Sequence, residues 1–259
     1  KEAAEAVRSY IQHINGFKSV TIIEREYNWG LADSIVDGVT KVVNKYGRVI
    51  VLEDDIVTSP YFLQYMNDAL KLYQNDKKVM HINGYVYSID TTDIPQTFFA
   101  NPVSCWGWAT WKQAWNTLET DPQFLLHQLQ DEHKLRTLNL DGAFRFSSTL
   151  AANIRGTEKT WAIKWYSTIV LQGGLGLYPH RSLTKNIGQD GSGEHSGSAS
   201  IFTTTLYDEG SISLSKQEPV IHALAQSRIK DYFTQHKPSL RSRLTQISKR
   251  IYCSIVNIL

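Results

Sequence analysis

The sequence predicts an α/β domain built on a mainly parallel sheet, and three observations carry that reading. Strand-like apolar runs alternate with amphipathic, helix-like runs between residues 19 and 83. One of these runs, Val49-Ile50-Val51-Leu52, ends abruptly in three acids, Glu53-Asp54-Asp55. The chain of 259 residues also suffices for one large domain or two small ones with a sizeable core.

Each element follows from its local pattern. Residues 1–14 read as a charged helix and Ser19-Val20-Thr21-Ile22-Ile23 as a short strand. Residues 28–47 read as a helix, with Ile35, Val39, Val42 and Val43 on one face and Gly47 as its stop. Residues 48–52 then form a strand. Ser59 suits the N-cap of the next helix and Pro60 its first turn. Residues 78–82 are a further strand, closing in an Asn83-Gly84 turn. Strand, helix, strand, helix, strand implies parallel pairing through right-handed crossovers. The Gly/Ser-rich stretch 186–200 reads as the one obvious flexible loop.

Composition excludes little but narrows the partners. An apolar fraction of 42% and a charged fraction of 20% are ordinary for a globular protein. A net charge of +2, without basic residues interleaved with aromatics on a sheet, argues against nucleic acid as a partner. No G-x-x-x-x-G-K-[ST] occurs, which argues against a P-loop. Cys105 and Cys253 show no metal-type spacing and suit a reduced, cytoplasmic setting. No apolar run reaches the roughly 18 to 20 residues of a membrane span. In residues 239–259, Leu240, Leu244, Ile247, Ile251 and Ile255 fall at helical spacing among Arg241, Arg243, Lys249 and Arg250. Such a helix suits peripheral contact with an anionic inner-membrane face, or docking on its own domain. The expected organisation is therefore a domain over 1–225 and an amphipathic basic tail over 226–259.

The acids occupy the place where open α/β sheets collect ligands, the carboxyl end of a strand. Adjacent carboxylates repel unless a cation separates them. Oxygen ligands favour Mg²⁺ or Mn²⁺, which take one or two carboxylates together with phosphate oxygens. An acidic helix N-terminus is the plainer alternative and accounts for Asp55, but less well for acids abutting four buried-type residues.

The stretch VIVLEDDIVTSPYFLQYMNDAL resembles the strand, Glu-Asp-Asp and aromatic-rich helix of GT-A glycosyltransferases related to N-acetylglucosaminyltransferase I, and of bacterial family 2-type sugar transferases. NWGLADSI, SCWGWATWKQAW and LYPHRSLTKNIGQDGSGEHS resemble further segments of these enzymes, in the expected order over residues 20–200. The resemblance implies a GT-A-like fold and transfer of a sugar from a nucleotide-diphosphate donor to a glycan or lipid-linked acceptor. The expected destination is a bacterial surface polysaccharide or lipopolysaccharide.

It also implies roles for particular residues. Asp55 would ligate Mn²⁺ or Mg²⁺ bridging the diphosphate, with Glu53, Asp54 and Gly30 at the donor. His195, in the late loop, would touch the diphosphate or the metal, and that loop would close over the donor. Trp106 and Trp108, flanking Gly107, would face the acceptor sugar, since glycine allows a close approach to the backbone. Trp111 and Trp115 follow helical steps from Trp108 and read as core.

Two departures accompany the match. Relatives of N-acetylglucosaminyltransferase I carry an acid between two tryptophans, whereas Trp161-Ala162-Ile163-Lys164-Trp165 has none. Asp141 and Glu158 are the nearest candidates for the general base. The chain also opens on a helix where GT-A domains open on a strand, so the first βα unit is expected to be missing. Two rival readings remain: a metal-dependent phosphoryl-transfer or hydrolase domain, and an idle carbohydrate-binding protein on the same fold.

Overall fold

A computed structural model describes residues 2–188 and 202–236. Helix α1 spans Glu2–Ile11 and is followed by irregular chain to Gly30. The strand expected at residues 19–23 is not formed, and those residues are mostly exposed. A lone strand leaves its N–H and C=O row unpaired, so apolar alternation without a neighbouring edge does not make one.

Helix α2 (Leu31–Tyr46) ends at Gly47, whose left-handed φ of 78° lets its N–H bond the Val43 carbonyl. The turn delivers the chain into β1 (Arg48–Val51), and β2 (Ile56–Thr58) follows the acids. Helix α3 (Phe62–Leu72) starts later than expected: its N-cap is Tyr61 rather than Ser59, Pro60 lies in the preceding turn, and the Ser59 hydroxyl accepts the Tyr61 N–H there. Then come β3 (Val79–Asn83), β4 (Thr97–Ala100), β5 (Trp108–Trp111) and α4 (Lys112–Trp115). Helices α5 (Pro122–Asp131), α6 (Leu135–Leu138), α7 (Phe146–Ile154) and α8 (Ala162–Leu171) precede β6 (Leu175–Pro179) and β7 (Thr184–Asn186). Helix α9 (Ala223–Gln235) is the last described element.

The central sheet has the order β1-β5-β3-β6-β4. β1 and β3 each pair antiparallel with β5, β3 pairs parallel with β6, and β4 closes the edge antiparallel to β6. β1, β3 and β6 thus run in one direction, but the sheet is mixed: β5 is inserted where direct β1–β3 pairing was expected. Trp108 and Trp111, expected at helical steps, are strand residues, and only Trp115 lies on a helix. A separate ribbon pairs β2 with β7.

The sheet is sandwiched. One buried cluster joins α2, α4, α5 and α8 around Trp108, Trp115 and Trp165. Another packs α3, through Phe62, Tyr65 and Met66, against Ile82, Phe99 and Leu177. A third ties α9 to Tyr85, Phe98 and Tyr178. Residues 226–235, read from sequence as the start of a tail, are therefore the body of α9. Gln226 is buried there, and its amide both donates to the Asn101 carbonyl and accepts the Asn101 N–H. The amphipathic stretch 239–259 lies outside the described residues, as does Cys253. No described helix is long and apolar enough to cross a membrane.

Candidate active site

The end of β1 is followed by a tight turn, in which the Ile56 N–H donates to the Glu53 carbonyl at 3.2 Å. The turn places Glu53, Asp54 and Asp55 between the central sheet and the β2–β7 ribbon. Asp54 is exposed, while Glu53 and Asp55 are half-buried. Burial, and then the charges of Asp55 and Asp54, push the Glu53 carboxyl up to about pH 7. The same crowding acts on Cys105, a half-buried free thiol held above its ordinary pKa by desolvation and by Glu53.

Asp55 is held from both backbone and side chain. Its carbonyl accepts the Ile187 N–H at 2.9 Å, extending the ribbon by one rung. Its Oδ2 accepts from Asn186 Nδ2 at 2.9 Å. Asn186 is fixed in turn, because its Oδ1 accepts the Gly188 N–H at 2.9 Å. Gly188 is there for space: a Cβ on it would lie 2.5 Å from Asp55 Oδ2. The other carboxylate oxygen, Asp55 Oδ1, is buried and has no hydrogen-bond partner. An oriented carboxylate with one oxygen tied and the other orphaned fits a hard divalent cation, which would supply the missing partner. Among the described residues no group of three or more His, Cys, Asp or Glu gathers around a common point. The fit is therefore to an ion with one protein carboxylate, completed by water and substrate oxygens, as Mg²⁺-type sites often are.

Beside Leu52, the residue before these acids, two glycines pack against each other. The Gly84 N–H donates to the Gly107 carbonyl at 2.7 Å, and the Gly84 carbonyl accepts the Leu183 N–H at 2.8 Å. Gly107 has a φ of +71°, and a Cβ there would lie 2.5 Å from Thr184 Cγ2. Gly107 was expected to open the backbone to a ligand. Thr184 fills that space instead, and its hydroxyl donates to the Trp106 carbonyl.

The remaining predicted residues separate. Trp106 is half-buried, with its ring edge-on to Tyr85 at 4.9 Å and to Phe202 at 5.5 Å. Trp108 is corrected to a core residue: it is fully buried between His81, at 5.1 Å, and Trp161, at 5.3 Å, where no acceptor reaches it. Gly30 caps α2 with a φ of 76°, and its N–H donates to Asn28 Oδ1. Asp141 engages both oxygens in ion pairs, with Arg136 and Lys230, which hold its carboxyl below the usual range. A carboxylate so committed is a poor proton acceptor. Glu158 is exposed beside Arg155 and Thr157, in a hollow that none of the acidic-motif residues lines. His195 lies outside the described residues.

Sequence reading did not assign Asn186 or Gly188, although both stand in the quoted Asn-Ile-Gly segment. Their role depends on a contact across 131 positions of chain.

The fold, a mixed central sheet between helices, is that of a GT-A-like domain. Residues 11–126 match the family model described as GNT-I, that of N-acetylglucosaminyltransferase I. The match takes in the acidic motif, β3 to β5 and the tryptophan segment, a little under half of the chain, and relates this stretch to glycosyltransferases. The resemblance to bacterial family 2-type enzymes has no counterpart in it. No curated protein matches the chain.

Proposed function

We propose that this chain is a divalent-metal-dependent glycosyltransferase that takes its sugar from a nucleotide-diphosphate donor. The observation that carries the reading is the buried, unpartnered Oδ1 of Asp55 at the carboxyl end of β1. Asp55 would hold Mn²⁺ or Mg²⁺, and such an ion, when bound, neutralises charge on the diphosphate leaving group. Asn186 and Gly188 keep the Asp55 carboxylate in one orientation, so the site is pre-organised before the donor arrives. Glu53 and Asp54 would contact the ribose or the sugar of the donor, or orient the metal's waters. N-acetylglucosamine as the transferred sugar is the finer reading that the family match favours. A role in bacterial surface polysaccharide or lipopolysaccharide synthesis belongs to the same proposal and rests on the sequence resemblance.

Thermal stability measured against a panel of nucleotide-diphosphate sugars, with and without Mn²⁺, tests this. A ligand at 100 times its dissociation constant adds about 2.7 kcal/mol to the folded state. The expected result is a Mn²⁺-dependent shift for one nucleotide family that disappears in Asp55→Asn. A shift that survives Asp55→Asn, or donor hydrolysis indifferent to any acceptor sugar, would overturn the reading.

A further inference from the structure

A hollow of about 400 Å³ lies between α2 and the start of α8, and none of the acidic-motif residues lines it. Trp161, Val36 and Leu118 give it an apolar side, and Asp33, Asp37 and Lys164 give it a polar one. The volume is within the usual range for small-molecule sites.

Its polar groups have unused capacity. Among the described residues the half-buried Lys164 ammonium has neither an ion pair nor a hydrogen bond, and burial lowers its pKa. Asp33 pairs with Lys159 Nζ through Oδ2, at 2.6 Å, and Asp37 directs Oδ2 at both Arg25 and Lys41. The Oδ1 atoms of both acids have no hydrogen-bond partner among the described residues. The wall thus offers a charged donor and two charged acceptors at once, next to an aromatic side chain.

We propose that this pocket seats a neutral, hydroxyl-rich sugar ring. A hydroxyl both donates and accepts, so one ring can meet Asp33, Asp37 and Lys164 together while an apolar ring face rests against the Trp161 side. A phosphate is an anion at neutral pH and is repelled by the two carboxylates; a purely apolar ligand strands all three charges. Assigning the ring to the acceptor glycan rests on the transferase reading, whereas the binding itself does not.

The test titrates the whole chain with neutral hexoses, deoxyhexoses, N-acetylhexosamines and their disaccharides, using saturation-transfer NMR, with inorganic phosphate alongside. At least one neutral saccharide binds. Lys164→Gln and Asp33→Asn each weaken it about fivefold, the loss of one hydrogen bond, with unchanged melting temperatures. Asp55→Asn leaves it unaltered. Should Lys164→Gln fail to fold, Asp33→Asn decides alone. No saccharide binding, binding indifferent to these substitutions, or a preference for phosphate overturns the proposal. Saccharide binding without any Mn²⁺-dependent nucleotide response would sink the transferase reading and leave this one standing; the reverse result would sink only this one.

Discussion

Asn186 fixes Asp55: its amide donates to Oδ2 at 2.9 Å and leaves Oδ1 buried without a partner. The two residues meet because β2 and β7 pair antiparallel, with Ile56 opposite Asn186. If Asn186 works by orienting a metal ligand, removing its amide weakens the metal without abolishing it. Asn186→Ala is expected to lower Mn²⁺ affinity about 10- to 100-fold, as outer partners of metal ligands generally do. Calorimetric titration of Mn²⁺ into wild type, Asn186→Ala and Asp55→Asn checks the ranking. Equal affinities across all three would remove Asp55 from the metal.

Gly188 makes a second, steric prediction at the same carboxylate. An added Cβ would lie 2.5 Å from Oδ2 and 2.8 Å from the Cβ of Asp55. No left-handed conformation is involved, so the cost is displacement of Asp55. Gly188→Ala is expected to abolish the Mn²⁺-dependent shift while reducing stability by about 1–3 kcal/mol, the usual range for overpacking. A variant that retains full Mn²⁺ response would show that the Asp55 orientation is immaterial.

Gly107 and Thr184 interlock. Gly107→Ala faces both its φ of +71° and a Cβ placed 2.5 Å from Thr184 Cγ2. The expected cost is about 2–4 kcal/mol, combining backbone strain with overpacking. Thr184→Ser removes Cγ2 but keeps the hydroxyl that donates to the Trp106 carbonyl. Urea melts of the two single variants and the double variant should therefore show partial rescue. Simple additivity would mean that the clash relaxes elsewhere.

His81 supplies a pH dependence far from solvent. Its Nε2–H donates to the Ser104 carbonyl and its Nδ1 accepts the Trp165 indole N–H, so the ring is held neutral. Burial lowers its pKa to about 3, from 6.5. Between those values the unfolded chain binds a proton that the folded chain refuses. Stability from this group is therefore complete above about pH 6.5 and declines as the pH falls toward 3, by about 1.4 kcal/mol per pH unit. His81→Gln does not titrate, so its stability deficit against wild type should shrink at that rate on acidification from pH 6.5. A constant deficit would mean that His81 titrates normally.

The parts of the fold legible in sequence are those set by neighbouring residues. The α2 stop at Gly47 and the β1 run with its acids both follow from short-range patterns. What was not legible depends on distant partners. Trp108 to Trp115 carries helical spacing, but β5 takes Trp108 and Trp111 into the sheet because β1 and β3 offer edges on both sides. Residues 19–23 have strand composition and no such edge. Asn186 stood at the start of a Gly/Ser-rich stretch that reads as a loop, and only the β2–β7 pairing shows that it belongs to the site.

Asp141 separates a structural carboxylate from a catalytic one. Its backbone is left-handed, with a φ of 55°, a conformation that asparagine also tolerates. Its Oδ1 accepts from Arg136 Nε at 2.7 Å, and its Oδ2 pairs with Lys230 on α9. The carboxyl is about two-fifths exposed, so solvent screens both pairs. Asp141→Asn is therefore expected to fold normally and lose at most about 1 kcal/mol. If the acid only ties residues 136–141 to α9, the pH profile and rate of sugar transfer stay within about twofold of wild type. A general base removed in this way would instead cost about 100-fold or more and eliminate the acidic limb of the profile. Steady-state rates for wild type and Asp141→Asn across pH 5 to 9 distinguish the two outcomes, and the committed state of both oxygens favours the first.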